Sequence, residues 1–268
     1  MVGLDQYLDT AVRAARKGAE VLSKNLGRLA EGDIVSKDQF DFVTRVDRQS
    51  EEAVIAEIKK AYPAHRILAE ETLKDAPGGF RWIIDPLDGT TNYIHGYPAF
   101  SVSVALENDG QVVAGAVLDP LRDELFTATK GGGAYLNGRA MKVAPFRGLE
   151  RALITTGFPF RSKQMLDHYL LAFKAIFLKV SGIRRSGSAA LDFAHLAAGR
   201  CDGFFELGLS PWDIAAGSLL ITEAGGQITD FGGGGGYLET GNVVAGVPEV
   251  YESLVRDVQG VFKGIIDR

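Results

Sequence analysis

The chain has 268 residues, 46% hydrophobic and 24% charged, with a formal net charge of −5. Its lysines and arginines are scattered, which argues against a general nucleic-acid binder. The single cysteine, Cys201, excludes an intrachain disulfide framework or a cysteine-built zinc site. The start lacks the basic and then apolar pattern of a signal peptide, and no apolar run approaches the ~20 residues of a membrane span. A soluble cytoplasmic protein is the expectation.

Leu4, Leu8, Val12, Ala15, Ala19, Leu22 and Leu26 recur at three- and four-residue steps and predict a long amphipathic helix. A second helix is predicted over 47–62, with Val54, Ile55 and Ile58 facing inward and Pro63 ending it. Arg66-Ile67-Leu68 reads as a short strand ending in Ala69-Glu70-Glu71. After a turn at Pro77-Gly78-Gly79, Trp82-Ile83-Ile84 reads as a buried strand that runs straight into Asp85. From about 100 to 143 the pattern is of strands: 101–106, a hairpin turn at Asp109-Gly110, a return over 111–118, a third run over 123–129 and a turn at Asn137-Gly138. These predict an antiparallel sheet preceded by two helices.

The second half alternates strand and helix. Strands are expected at 152–156, 182–185, 203–207, 227–230 and 242–245. Helices are expected at 162–178, at 188–201 with Ser188 as cap, at 211–224 with Pro at its start, and from 248 to about 262. That alternation predicts a mixed sheet with helices on its faces. A boundary near Ala144-Pro145 divides the chain into 1–144 and 145–268. Gly232 to Gly236 reads as a flexible loop and not a phosphate loop, since no Lys-Ser/Thr follows.

Acidic residues gather at the ends of these elements. Glu70 and Glu71 end one strand, and Asp85 and Asp88 follow another. Asp213 lies just inside a helix start, and Asp41 and Asp47 flank Phe42-Val43-Thr44. Such edges are where loop-borne functional residues collect. Two aspartates crowded into one loop repel each other and call for a cation. An oxygen-only donor set favours Mg²⁺ or Mn²⁺ over zinc. Two such ions about 3.5–4 Å apart can clamp a phosphate and activate water. Each residue also has a plainer reading: Asp88-Gly89 as ordinary turn chemistry, Asp213 as a first-turn carboxylate favoured by the helix dipole, Glu70-Glu71 as a solvated strand end, and Asp47 or Thr90 as a helix cap. Thr90 beside the acids is also placed to orient an attacking water, and the Gly89-Thr90 backbone to meet a phosphate if it opens a helix.

The run Trp82-Ile83-Ile84-Asp85-Pro86-Leu87-Asp88-Gly89-Thr90-Thr91-Asn92-Tyr93 resembles the first signature of the inositol monophosphatase family. Trp212-Asp213-Ile214-Ala215-Ala216-Gly217, followed by Glu223-Ala224-Gly225-Gly226, resembles the second. Glu70-Glu71 and Asp41, Thr44 and Asp47 match as well, and the likeness covers nearly the whole chain. Thr156-Gly157-Phe158-Pro159-Phe160 and Arg184-Arg185-Ser186-Gly187-Ser188-Ala189-Ala190-Leu191-Asp192 are similar to the bacterial SuhB branch. Position 188 is Ser where many animal members carry Thr, and both offer a hydroxyl.

The resemblance implies an α/β fold, a layered αβαβα sandwich with an N-terminal antiparallel sheet and a C-terminal mixed sheet. It implies Mg²⁺-dependent hydrolysis of a phosphate monoester, inositol 1-phosphate first, with lithium as inhibitor. It assigns one metal to Glu70, Asp85, Asp88 and the Leu87 carbonyl, a second to Asp85, Asp88 and Asp213, and a third to Glu70 with a water shell. Asp47 and Thr90 match the pair that activates water, with Glu70 also in the catalytic set. Gly89 and Thr90 match phosphate contacts; Asp88, Gly187, Ser188, Ala189, Glu206 and Asp213 match positions around the inositol hydroxyls. An acidic protein binds a doubly charged phosphate only through cations. Carboxylates at 206 and 213 are acceptors suited to a ring of hydroxyl donors. Glu206 also has a plainer reading, as the outward residue of its strand. Related substrates such as fructose 1,6-bisphosphate, adenosine 3′,5′-bisphosphate, NADP or histidinol phosphate stay open. Arg184 and Arg185 would serve a second phosphate or pair with acids at a subunit interface. A homodimer is implied, and the SuhB likeness implies contacts with RNA-polymerase-associated proteins.

Overall fold

The computed structural model describes residues 3–38, 41–72, 74 and 78–266, with 37, 38 and 41 described by their backbone alone. Two helices open the chain, α1 (Leu4–Asn25) and α2 (Arg45–Ala61), separated by a two-stranded hairpin of β1 (Ile34–Asp38) and β2 (Asp41–Thr44). The hairpin shows no clean alternation among its described side chains: Val35 and Phe42 are exposed, while Val43 and Thr44 in succession are buried. The side chain of Asp41 lies outside the described residues, as does Pro77 of the expected turn.

Seven strands then form the larger sheet among the described residues: β3 (Arg66–Ala69), β4 (Phe80–Asp88), β5 (Ser101–Asn108), β6 (Gln111–Asp119), β7 (Glu124–Thr129), β8 (Gly133–Leu136) and β9 (Arg139–Met141), side by side in chain order. All neighbouring pairs are antiparallel except β3 with β4, which run parallel at one edge. The turns at Asp109 and Asn137 carry positive φ, as Asp-Gly and Asn-Gly hairpins require. A short helix, α3 (Thr90–Ile94), follows β4 directly.

The remaining strands make a five-stranded sheet in the order β11-β10-β12-β14-β13, built from β10 (Leu153–Thr156), β11 (Gly182–Arg184), β12 (Gly203–Glu206), β13 (Gln227–Thr229) and β14 (Val243–Gly246). It is mixed: β10 runs parallel to β11 and β12, while β14 runs antiparallel to β12 and β13. Helices α4 (Leu166–Phe177), α5 (Ala189–Ala197), α6 (Pro211–Glu223), α7 (Tyr237–Thr240) and α8 (Pro248–Phe262) complete it. α5 stops short of the expected 201 because Gly199 adopts φ +72 just past the last turn.

Three apolar clusters define five layers. Successive strand residues face opposite ways. Trp82 and Ile84, Val102, Val104 and Leu106, and Ala114, Ala116 and Leu118 point toward α1 and α2. Ile83, Ala105 and Val117 point the other way, into a central cluster with α5 and α6. The five-stranded sheet splits likewise: Phe204, Val243 and Ala245 meet α5 and α6, whereas Phe205 and Val244 meet α4 and α8. The result is helix, sheet, helix, sheet, helix. α6 is buried nearly all round, as its position between two sheets demands.

Candidate metal centre

In a regular strand Asp85 and Asp88, three residues apart, would face opposite sides. The pairing of β4 with β5 slips between them: Asp85 lies opposite Ser103 and Asp88 opposite Ser101, so three steps on one strand match two on the other. This one-residue bulge, at a proline that cannot join the ladder, turns both carboxylates to one side. The Leu87 N–H donates to Asp85 Oδ1 at 3.0 Å and stabilises the bend.

Asp213 arrives from the start of α6. Its Oδ2 accepts the Ser210 N–H at 2.7 Å in a capping box with Pro211 at the first helical position. Carboxylate oxygens of Asp85, Asp88 and Asp213 lie within 4.8 Å of one another, all three residues buried. Asp88 in turn caps α5: its Oδ2 accepts the Ala190 N–H at 2.8 Å and the Ser188 hydroxyl. Ser188 sits at the cap position but makes no side-chain cap bond, because its hydroxyl is spent on Asp88. The expected cap is therefore supplied by a residue from another layer.

Gly89 separates this trio from α3. Its φ of +97 suits glycine, and a Cβ would come within 2.9 Å of the Ala99 carbonyl and 3.2 Å of the Gly187 carbonyl. Asn92 in α3 donates to the Ser186 and Ala99 carbonyls, tying the Ser186-Gly187-Ser188 segment to the same place. The Thr90 hydroxyl lies 2.9 Å from Asp47 Oδ1 and 3.1 Å from the Leu87 carbonyl. Asp47 is the third residue of α2, and its other oxygen accepts the N–H and hydroxyl of the cap residue Thr44. Asp47 is thus a capping residue and a partner of Thr90 at once.

Glu70 follows the end of β3, outside the tight trio, and its charge acts on Asp47, Asp85, Asp88 and Asp213. Glu206 ends β12, half-buried against Gly157, whose missing side chain leaves room for the carboxylate. Arg185 stacks on the Phe160 ring at 5.0 Å, and Arg184 Nη1 donates to the Ile183 carbonyl.

The electrostatics follow from burial and crowding. Burial pushes the Asp85 carboxyl well above the usual carboxylate range, and the charges of Glu70, Asp88 and Asp213 push it further. Asp88 is raised to about 7 by burial and Asp213, against the pull of its bonds from Ser188 and Ala190. Asp213 is raised by burial, with Arg161 opposing. Asp47 is raised by burial and Glu206 well raised by burial and neighbouring acids. Arg161 brings one positive charge from the rim, 3.6 Å from Asp213 and 4.0 Å from Glu70, with a side chain 45% exposed. Arg161, with Arg185 acting on Glu206, does not neutralise the six acids Asp47, Glu70, Asp85, Asp88, Glu206 and Asp213. Hard oxygen donors, buried, convergent and short of positive charge, fit a divalent cation of the Mg²⁺ or Mn²⁺ type.

Two participants escaped the sequence reading. Arg161 follows the Thr156-to-Phe160 motif without a signal of its own. Asp192 closes the Arg184-to-Asp192 motif, is fully buried, accepts the Ser186 hydroxyl at 2.7 Å and is pushed up to about 8 by burial.

Comparison with known proteins agrees with this architecture. The model of the "Inositol monophosphatase family" matches residues 3–262. The chain is 47% identical to the Nus factor SuhB of Pseudomonas aeruginosa, over 96% of this chain and 97% of that one. It is 45% identical to the Nus factor SuhB of Escherichia coli K12, over 97% and 98%. Among solved structures, the extragenic suppressor protein suhB from Bartonella henselae superposes with a TM-score of 0.91 at 41% identity, over 97% of this chain and 100% of that one. The inositol monophosphatase from Anabaena gives 0.87 at 39%, over 97% and 98%. No helix among the described residues is long and apolar enough to cross a membrane. With a family model spanning almost its full length and relatives this similar, the chain belongs to the inositol monophosphatase family.

Proposed function

We propose that this chain is a Mg²⁺-dependent phosphate monoester hydrolase, with inositol 1-phosphate as its first substrate. The observation that carries the reading is the buried trio of Asp85, Asp88 and Asp213 beside the Asp47–Thr90 pair. Asp85, Asp88 and Asp213, with Glu70 and the Leu87 carbonyl, would hold two or three divalent ions, Mg²⁺ or Mn²⁺. Bound there, such ions would offset the acids, lower the pKa of a water and supply positive charge to the leaving oxygen. Asp47 engages the Thr90 hydroxyl proton, which leaves the lone pairs of that oxygen to orient the attacking water. Burial raises the basicity of Asp47 and suits it to receive a proton. Backbone N–H groups of Gly89 and Thr90 meet the phosphate. Asp88, Gly187, Ser188, Ala189, Glu206 and Asp213 line the sugar hydroxyls. On a division near Ala144-Pro145, Asp47, Glu70, Asp85 and Asp88 fall on 1–144, and Gly187, Ser188, Ala189, Glu206 and Asp213 on 145–268.

Phosphate release from inositol 1-phosphate tests the reading. The expected result is activity that vanishes in excess chelator and returns with Mg²⁺; activity that persists in chelator refutes it. The relatives' designation as Nus factors favours a second role, in which the protein engages RNA-polymerase-associated partners through protein contacts. Capture of such partners by catalytically dead Asp88→Asn protein supports that role, and loss of capture in parallel with activity contradicts it. A homodimer completes the proposal and is read by light scattering on the purified protein.

A further inference from the structure

Asp47, Ser50, Glu51, Val54 and Ile58 stand at three- and four-residue steps along α2 and therefore share one face. All five are buried. An interior helix face is ordinarily apolar, and a buried carboxylate is costly unless it is hydrogen-bonded. Here the first three positions are polar, and each grips a different segment of the metal centre. Asp47 accepts from Thr90 at the start of α3. The Ser50 hydroxyl donates to the Pro86 carbonyl at 2.8 Å, inside the bulge that aligns Asp85 with Asp88. Glu51 Oε2 accepts the Glu71 N–H at 2.7 Å, and its Oε1 accepts the Thr72 hydroxyl.

The Glu51 contacts fall where Glu70 needs them. β3 ends at Ala69, and the Glu70 N–H makes a last bond of 3.3 Å to the Ile84 carbonyl. Glu71 lies past the β3 ladder and its N–H turns to Glu51 instead, while an isolated bridge pairs Lys74 back to Leu68. Lys74 holds the carbonyl side, donating to the Ala69 and Glu70 carbonyls at 2.6 Å each. Glu70 is thereby fixed on both flanks. α1 leaves room for the gripping face through Gly18, where a Cβ would lie 2.8 Å from Ser50 Oγ and 3.0 Å from a Val54 methyl.

We propose that Glu51 is a positioning residue of the metal centre: through Glu71 and Thr72 it holds the Glu70 carboxylate at the distance and angle a divalent cation requires, while Ser50 does the same for the bulge. The inference rests on the proposed metal site and extends it to residues that touch neither cation nor substrate. Outer partners that orient a ligand are worth 10–100-fold in metal affinity. Replacing Glu51 by Gln keeps an acceptor for the Glu71 N–H, and the Thr72 hydroxyl can rotate to accept from the new amide. Replacing it by Ala removes both grips.

The experiment is Mn²⁺ binding to chelator-stripped protein, read by the electron paramagnetic resonance of free Mn²⁺. The set is wild type, Glu51→Ala, Glu51→Gln, Glu70→Gln and the Glu51→Ala/Glu70→Gln double variant. Glu51→Ala is expected to weaken binding about tenfold and Glu51→Gln by no more than about threefold. In the Glu70→Gln background, Glu51→Ala is expected to add nothing, since its effect runs through Glu70. An unchanged affinity in Glu51→Ala, or an equal loss with and without Glu70, overturns the proposal, the second outcome marking a general structural role. Should Glu51→Ala fail to fold, Thr72→Val removes one grip from an exposed residue and is read in the same two backgrounds against the same criterion. Wild-type protein that binds no Mn²⁺ overturns the metal reading itself, and this inference with it.

Discussion

Replacing Asp88 by Asn is expected to move stability and activity in opposite directions. The folded protein holds the Asp88 proton up to about pH 7 against an ordinary value of 3.8. The unfolded chain therefore loses its proton first as pH rises. Stability of the metal-free protein falls from about pH 4 to about pH 7 and is level above that, because the folded state binds more protons across this window. At about 1.36 kcal/mol per unit, the cost is roughly 4 kcal/mol at neutral pH. Both bonds to Asp88, from Ser188 and from Ala190, fall on Oδ2. An amide oxygen placed there keeps both, so little is lost in exchange. In chelator at pH 7.5, urea unfolding is expected to show Asp88→Asn more stable by about 2–4 kcal/mol, and the gap is expected to shrink toward pH 4. With Mg²⁺ present, wild type gains stability by ligand binding, whereas Asp88→Asn gains far less and releases phosphate orders of magnitude more slowly. A chelated variant less stable than wild type at pH 7.5, or one that keeps wild-type turnover, would refute the reasoning.

Asp192, raised to about 8 by burial, destabilises the fold progressively between about pH 4 and 8 by the same sign. Asp192→Asn is expected to flatten that decline, by at most about 5 kcal/mol at pH 8, measured by urea unfolding at pH 5 and 8; equal slopes would contradict it. A Cβ at position 157 would fall 1.8 Å from Glu206 Oε1, so Gly157→Ala is expected to push that carboxylate aside. The loss of one charged hydrogen bond to substrate then raises KM about tenfold or more while Mn²⁺ affinity stays level. Arg161 shares Asp213 and Glu70 with any incoming cation. Arg161→Gln is expected to tighten Mn²⁺ binding about fivefold, the modest figure appropriate to a half-exposed pair, and weaker binding would reverse the assignment.

The layers were legible because burial on both faces leaves a period-two or 3.6 record. Trp82-Ile83-Ile84 and the 101–118 hairpin carry it; β1 and β2, with Val35 and Phe42 exposed and Val43 and Thr44 buried in succession, show no such period. The acids at element ends were legible as residues but not as neighbours. Asp85 and Asp88 share a side only through a bulge, and a three-residue spacing alone argues the reverse. Asp213 meets them because α6 lies between two sheets, a relation of layers and not of local sequence. The face of α2 was read from Val54, Ile55 and Ile58. Its first turns bury Asp47, Ser50 and Glu51 beside Val46, and polar residues turned inward have no hydrophobic signature to read. Arg161 was invisible for the opposite reason, since an exposed arginine on a loop looks like any solvated charge.

The most direct test of the account is an anomalous difference map from crystals of this protein soaked in Mn²⁺. The account predicts density bounded by the carboxylates of Asp85, Asp88 and Asp213, with oxygens roughly 2.0–2.3 Å from the ion, and a weakened peak in Asp88→Asn. Ordered Mn²⁺ found only elsewhere, or an acidic trio without density at saturating Mn²⁺, would contradict it.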